Sequence, residues 1–264
     1  MSISIKTVKN ESFEMDYFRF GKEGARPVVI LPGLSIKSVM PRADAVAMQY
    51  SLLANRYDVY LLDRRKVVPD SYTVGEMAED TVQAIRMIGL EDIDIVGISQ
   101  GGMIAQMIAI RYPDLIHAMI LGSSASRLPE KEDSIGKWKD FAKEGNATEL
   151  VRSFAEDIYS PRFYEKYKDR IEASYKDISE DELRKFMILS EGTNGFDVYE
   201  DISTIKCPTL VIGAAEDMVT GVQAAIDTAD RIGCELYIYE GYGHAVYDEA
   251  PDYVQRLKDF FDRY

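Results

Sequence analysis

Gly97-Ile98-Ser99-Gln100-Gly101, followed at once by Gly102, is the stretch of this 264-residue chain whose residue types and spacing bear most directly on chemistry. A serine hydroxyl is a weak nucleophile at neutral pH and needs a base beside it. The G-x-S-x-G spacing, set between an apolar run at 92–96 and a helical pattern at 101–111, puts that serine on a sharp strand-to-helix turn. Gly97 and Gly101 have a steric reason to be there, because side chains would crowd a strained backbone. The start of the helix also brings a positive dipole end to where an oxyanion would develop. The same pattern also fits a glycine-rich turn whose serine merely caps the helix.

Histidine is the usual base for such a serine, and the chain has two, His117 and His244. His117 leads into a strand, at the edge of the sheet away from where ligands sit, and reads as structural. His244 lies in Gly241-Tyr-Gly-His244, a loop at the carboxyl end of the last strand-like run, which is the correct edge. A carboxylate is expected between serine and histidine in the sequence, after an intervening strand. Gly213-Ala-Ala-Glu216-Asp217 supplies two candidates, Asp217 favoured and Glu216 the alternative; capping the next helix is the bland role for Asp217. Its catalytic task would be to fix the imidazole tautomer and stabilise the imidazolium. Acyl transfer needs two donors for the oxyanion. The backbone N–H groups of Gln100, just after the serine, and of Leu34, in Leu31-Pro-Gly-Leu34, are the candidates.

The elements that must position these residues alternate. Apolar runs at 27–31, 58–62, 92–96 and 118–121 each end at a glycine, a proline or an aspartate. Residues 2–8 and 13–20 read as an opening strand pair. Strands apolar on both faces belong to a helix-covered parallel sheet. Between them, 43–54, 74–88 and 101–111 carry apolar residues at helical spacing, and Thr73 with Glu76 forms a capping box. The alternation predicts an α/β fold: a doubly wound, mostly parallel sheet. It stops after Ser123. Residues 126–202 read as helical, charged and aromatic; a buried strand returns at 207–213, then a helix at 220–232, a strand at 234–239 and a helix at 248–264. The chain therefore divides into a core of 1–125 and 203–264 and a helical cap of 126–202.

A net charge of −14 with no basic run disfavours nucleic acid and anionic membrane surfaces as partners. No apolar stretch reaches the roughly 20 residues that span a bilayer, and the N-terminus has no apolar signal-type core. Cys207 and Cys234 show no metal-ligand spacing and read as buried, reduced thiols, which favours a cytoplasmic location.

Taken together, Leu31-Pro-Gly-Leu34, Asp63-Arg64, Gly97-Ile-Ser-Gln-Gly-Gly102, Gly213-Ala-Ala-Glu-Asp217 and Gly-Tyr-Gly-His244 resemble, in order and over nearly the full length, the α/β-hydrolase fold family. The resemblance implies a Ser99–Asp217–His244 triad, no metal, no organic cofactor and an acyl-enzyme intermediate. It implies hydrolysis of a small-molecule carboxylic ester, with a lactone, thioester, C–C bond or perhydrolysis as variants of the same chemistry. A ligand-binding protein that has kept the triad without turnover is the non-enzymatic alternative. The chain departs from the family in two places: Pro32-Gly33 stands where many relatives have His-Gly, and Asp63-Arg64-Arg65 lacks the glycine-serine run that commonly follows.

Overall fold

Side-chain alternation along the strands decides the architecture. The computed structural model describes residues 2–128 and 133–264. Its strands are β1 (Ile5–Lys9), β2 (Glu14–Gly21), β3 (Pro27–Leu31), β4 (Asp58–Arg65), β5 (Ile93–Ile98), β6 (Ile116–Gly122), β7 (Thr209–Ala214) and β8 (Glu235–Tyr239). They form one sheet in the order β1-β2-β4-β3-β5-β6-β7-β8. β1 and β2 pair antiparallel, as do β2 and β4; every later pair is parallel.

Successive side chains point to opposite faces of a strand, and both faces are apolar. Val29 and Leu31, Ile93 and Ile95, and Met119 and Leu121 pack on one face against α3 (Val74–Ile88), α4 (Gln100–Arg111) and α9 (Val222–Ile232). Val28 and Ile30, Val96 and Ile98, and Ala118 and Ile120 pack on the other. There they meet α1 (Ala43–Gln49), α2 (Ser51–Ala54), α10 (Val246–Glu249) and α11 (Tyr253–Phe261). This is the doubly wound sheet that the alternating runs predict. Among the described residues four α-helices fall between β6 and β7: α5 (Asp133–Lys143), α6 (Ala147–Ile158), α7 (Pro161–Ser174) and α8 (Glu180–Glu191). Trp138, Leu150, Phe154 and Phe186 give α5, α6 and α8 a core of their own, joined to the rest through Ile36 and Ala245, while α7 packs on α6 through Tyr164, Ile171 and Ala155. An isolated antiparallel bridge, Arg127 with Asp197, ties the two ends of this stretch together.

Local chemistry moves several boundaries from the sequence expectation. The expected helix at 43–54 is two helices that meet at Tyr50. The expected helix at 248–264 is also two, α10 and α11, interrupted around Pro251, which lacks an N–H to donate. The helix expected from Thr220 begins at Val222, after Gly221 at φ +77°. The capping box of Thr73 and Glu76 is present, and α3 ends at left-handed Gly89. Cys207 and Cys234 are free but only half-buried, because each precedes its strand rather than entering it. His117 sits at the second position of β6, far along the strand from its carboxyl end, and contacts Asp92 and the Tyr264 carbonyl. Among the described residues no helix is long and apolar enough to cross a membrane.

At the amino-terminal edge of the sheet, Asp94 is fully buried, and its ion pair with Arg26 is long, at 3.7 Å. Burial lifts its pKa to about 7, with Arg26 pulling the other way. A carboxyl whose folded pKa lies above its unfolded value destabilises the fold progressively as pH rises from the unfolded pKa to the folded one, and no further above it. Asp94→Asn should therefore raise stability by about 2–3 kcal/mol more near pH 8 than near pH 5. Chemical denaturation at the two pH values reads this out; equal effects at both would contradict it.

Candidate active site

Ser99 stands between β5 and α4 at φ +51° and ψ −118°, a conformation that ordinary residues avoid and that costs about 1–3 kcal/mol. Three glycines make the turn possible. A Cβ on Gly97 would lie 2.6 Å from the Gly101 carbonyl, one on Gly101 2.1 Å from the Leu31 carbonyl, and one on Gly102 2.5 Å from Ser124. The turn is held further by the Ser99 N–H donating to the Gly122 carbonyl at 2.8 Å and by Ser124 Oγ donating to the Ser99 carbonyl at 2.8 Å. The strain is thus supported by main chain from β3 and β6 on either side.

Ser99 Oγ lies 2.9 Å from His244 Nε2. His244 Nδ1 lies 2.9 Å and 3.0 Å from the two carboxylate oxygens of Asp217. His244 and Asp217 are buried, at 3 % and 7 % exposure, although they stand 27 residues apart. Asp217 accepts more than the imidazole. Its Oδ1 takes the backbone N–H groups of Val219 (2.8 Å) and Thr220 (2.9 Å), and its Oδ2 takes the Thr220 hydroxyl at 2.8 Å. Burial works against its charge, but the neighbouring His244 and these donors outweigh it and hold the carboxyl down at about 2. An ionised carboxylate fixed in this way leaves Nδ1 protonated and Nε2 free to accept a proton from Ser99.

Glu216, the alternative acid, is exposed; its N–H donates to the Tyr242 carbonyl, and among the described residues its carboxylate makes no hydrogen bond to His244 or to any other group. Gly33, Leu34, Gln100, Ser99 and His244 face one cavity of about 30 Å³. Among the described residues, no backbone acceptor engages the Leu34 or Gln100 N–H, which leaves both free to donate. Gly33 permits this approach, since a Cβ there would lie 3.1 Å from the Ser99 Cβ.

Several supporting residues went unread in the sequence. Ser123, also at positive φ, donates to the His244 carbonyl at 2.6 Å. Its place at the carboxyl end of β6 was the available signal. Thr220 fastens Asp217 from three residues on, as hydroxyls in such turns do. The histidine loop is also bound to the end of α6. Ala245 N–H donates to the Ile158 carbonyl at 2.7 Å, and Ser160 donates to Glu249 through both its N–H and its hydroxyl. Gly243 allows that contact, because a Cβ would meet the Ser160 nitrogen at 2.8 Å. Trp138 from α5 closes the cavity, its indole N–H anchored on Asp157 at 2.9 Å. A cavity this small holds about two water molecules.

This geometry agrees with what comparison with known proteins finds. A family model described as alpha/beta hydrolase fold matches residues 26–251, and the chain belongs to that family. A protein named putative carbamate hydrolase RutD, from Caulobacter sp. (strain K31), is 26% identical over 220 residues, covering 78% of this chain and 81% of its own. The 3-oxoadipate enol-lactonase 2 of Acinetobacter baylyi is 22% identical, covering 82% and 80%. Among solved structures, MGS-M2, an alpha/beta hydrolase enzyme from a Medee basin deep-sea metagenome library, superimposes with a TM-score of 0.88 at 25% identity, over 97% of each chain. Hydrolysis is the chemistry these names share.

The clearance at Gly101 is the tightest of the elbow and can be tested directly. Gly101→Ala should destabilise the protein by at least about 2 kcal/mol, because main chain of β3 cannot withdraw without disturbing the sheet. A melting temperature equal to that of the unaltered protein would show that the close approach is not required.

Proposed function

We propose that the protein is a serine hydrolase that cleaves a carboxylic ester of a small or medium acyl group through an acyl-enzyme. The observation that carries this reading is the unbroken line of hydrogen bonds from Ser99 Oγ through His244 to Asp217. Ser99 Oγ attacks the carbonyl carbon as its proton passes to His244 Nε2. The carbonyl oxygen, now an oxyanion, takes hydrogen bonds from the Leu34 and Gln100 N–H groups. Collapse breaks the ester C–O bond, and His244 hands its proton to the departing alkoxide. Water then attacks the acyl-enzyme and gives its proton to His244; the acyl C–Oγ bond breaks, His244 returns a proton to Ser99 Oγ, and the acid and free Ser99 are released. Asp217 keeps its charge throughout and stabilises the imidazolium.

In this reading residues 126–202 form the cap, and the core is 1–125 with 203–264. The cavity over Ser99, at about 30 Å³, adjoins a second of about 120 Å³ that shares Leu34, Phe154, Ile158 and Tyr247 with it. The aromatic and aliphatic lining suits an apolar acyl or alkoxy group of modest length. A lactone is an ester closed on itself and needs the same atoms. The likeness to enol-lactonases favours it as a second reading. The two free thiols, with no disulfide between them, suit a reducing cytoplasm.

Steady-state hydrolysis of p-nitrophenyl esters of increasing acyl length tests the proposal. Turnover should be greatest for short acyl groups and vanish in Ser99→Ala. Asp217→Asn should lower kcat by about 10³–10⁴-fold while Glu216→Gln stays near the unaltered enzyme. Activity that survives Ser99→Ala, or that depends on Glu216 instead of Asp217, would overturn the assignment.

A further inference from the structure

A cavity of about 410 Å³, larger than the one over Ser99, opens on the other side of the Pro32-Gly33 turn. It lies at the carboxyl end of β4, between the core and α8, the edge of the sheet where ligands of such folds bind. Gly33 lines both cavities, and Leu189, whose carbonyl accepts from the Gln100 side chain at 2.8 Å, forms part of the far wall.

Most of the charge around this cleft is already matched. Lys66 pairs with Asp16 at 3.1 Å, Arg184 pairs with Asp70 at 2.5 Å, and Glu182 caps α8 at Ser179. Asp181 lines the cleft as an exposed carboxylate with no ion pair among the described residues. Three cations have no carboxylate partner: Lys37, whose ammonium is held by the Lys176 carbonyl, and Arg64 and Lys185. Arg64 is 4 % exposed, donates through Nη2 to the Pro32 carbonyl at 2.8 Å, and has no partner for Nε. Lys185, half-buried on α8, enters no ion pair among the described residues. Asp63 is a counter-charge common to Arg64 and Lys185, and its carboxylate also accepts from the Ser38 hydroxyl and the Arg64 backbone N–H.

Burial pulls both cations below their ordinary pKa, with Asp63 acting the other way on each. In a protein of net charge −14, this cleft gathers five cations against four carboxylates. A guanidinium and an ammonium together fit the two oxygens of a carboxylate.

We propose that this cleft is the subsite for a carboxylate carried by the substrate, bound by Lys185 and Arg64, with the scissile ester reaching Ser99 past Gly33. The inference rests on Ser99 as the nucleophile and narrows the substrate to esters or lactones that bear an acid group. Arg64 also anchors the Pro32 carbonyl, so Lys185 is the cleaner position to alter.

The test compares p-nitrophenyl esters of matched acyl length, the hemiglutarate with a terminal carboxylate and the neutral pentanoate, as a ratio of kcat/KM. The unaltered enzyme should favour the hemiglutarate, and Lys185→Met should lower the ratio by about 10- to 100-fold. Lys185→Glu should lower it further, and Lys185→Arg should restore most of it. A ratio near one in the unaltered enzyme, or one that Lys185→Met leaves unchanged, would overturn the subsite. Loss of Ser99 removes turnover of both esters and leaves no ratio, so failure of the nucleophile assignment reads differently. Binding is measured apart from turnover, as the rise in melting temperature that glutarate gives Ser99→Ala over chloride at equal ionic strength. That rise should be lost when Lys185→Glu is added, and a rise that persists would also overturn the assignment.

Discussion

The main-chain approach between the β5–α4 turn and the end of β3 is the constraint on which the rest of the site depends. Gly101 lies so near the Leu31 carbonyl that any side chain would occupy the same space. Ser99 beside it takes its positive-φ conformation, with its hydroxyl 2.9 Å from His244 Nε2. The approach also brings the Pro32–Leu34 loop, with its free N–H, to the same point as the N–H of Gln100. The positions of the proposed nucleophile and donors are therefore tied to one packing contact. A close-packed interior does not relax around such a contact, so the geometry stands ready before any ligand arrives.

The other half of the site is set by ends of strands rather than by a turn. Asp217 and His244 follow β7 and β8, neighbours in parallel register, and so the loops leave the same edge side by side. The loop of His244 is fastened on two sides, to Ser123 of the core and to Ile158 of α6. Helices α5–α8 thus do more than cover the cavity. The core shared by α5, α6 and α8, with Trp138, Phe154 and Phe186, reaches the histidine loop through Ala245.

The sheet and the strand-to-helix turn at Ser99 were legible because each rests on a local signal. Fully apolar runs specify buried parallel strands, and G-x-S-x-G between strand and helix specifies the turn at Ser99. Asp217 was separable from Glu216 only by placement: consecutive residues in a turn point differently, and the sequence does not record which way. The breaks at Tyr50 and Pro251 were harder to see, because helical periodicity runs on through them while the chain bends over the core. Ser123, Thr220 and Gly243 were invisible as a set. Each acts on a partner brought near by the fold, and only Thr220 has that partner within a turn of itself. The cleft of Arg64 and Lys185 was equally hidden, since 121 residues and the whole of β5, α4 and β6 separate its two cations in sequence.

The central claim is that Ser99 is a nucleophile activated by His244. Intact mass and peptide mapping after brief treatment with a fluorophosphonate test it most directly, because the reagent reports the activated hydroxyl without any assumption about substrate. The account predicts a single adduct on the peptide containing Ser99, formed much more slowly in His244→Ala and not at all in Ser99→Ala. Labelling at another residue, or no labelling of the folded protein, would contradict it.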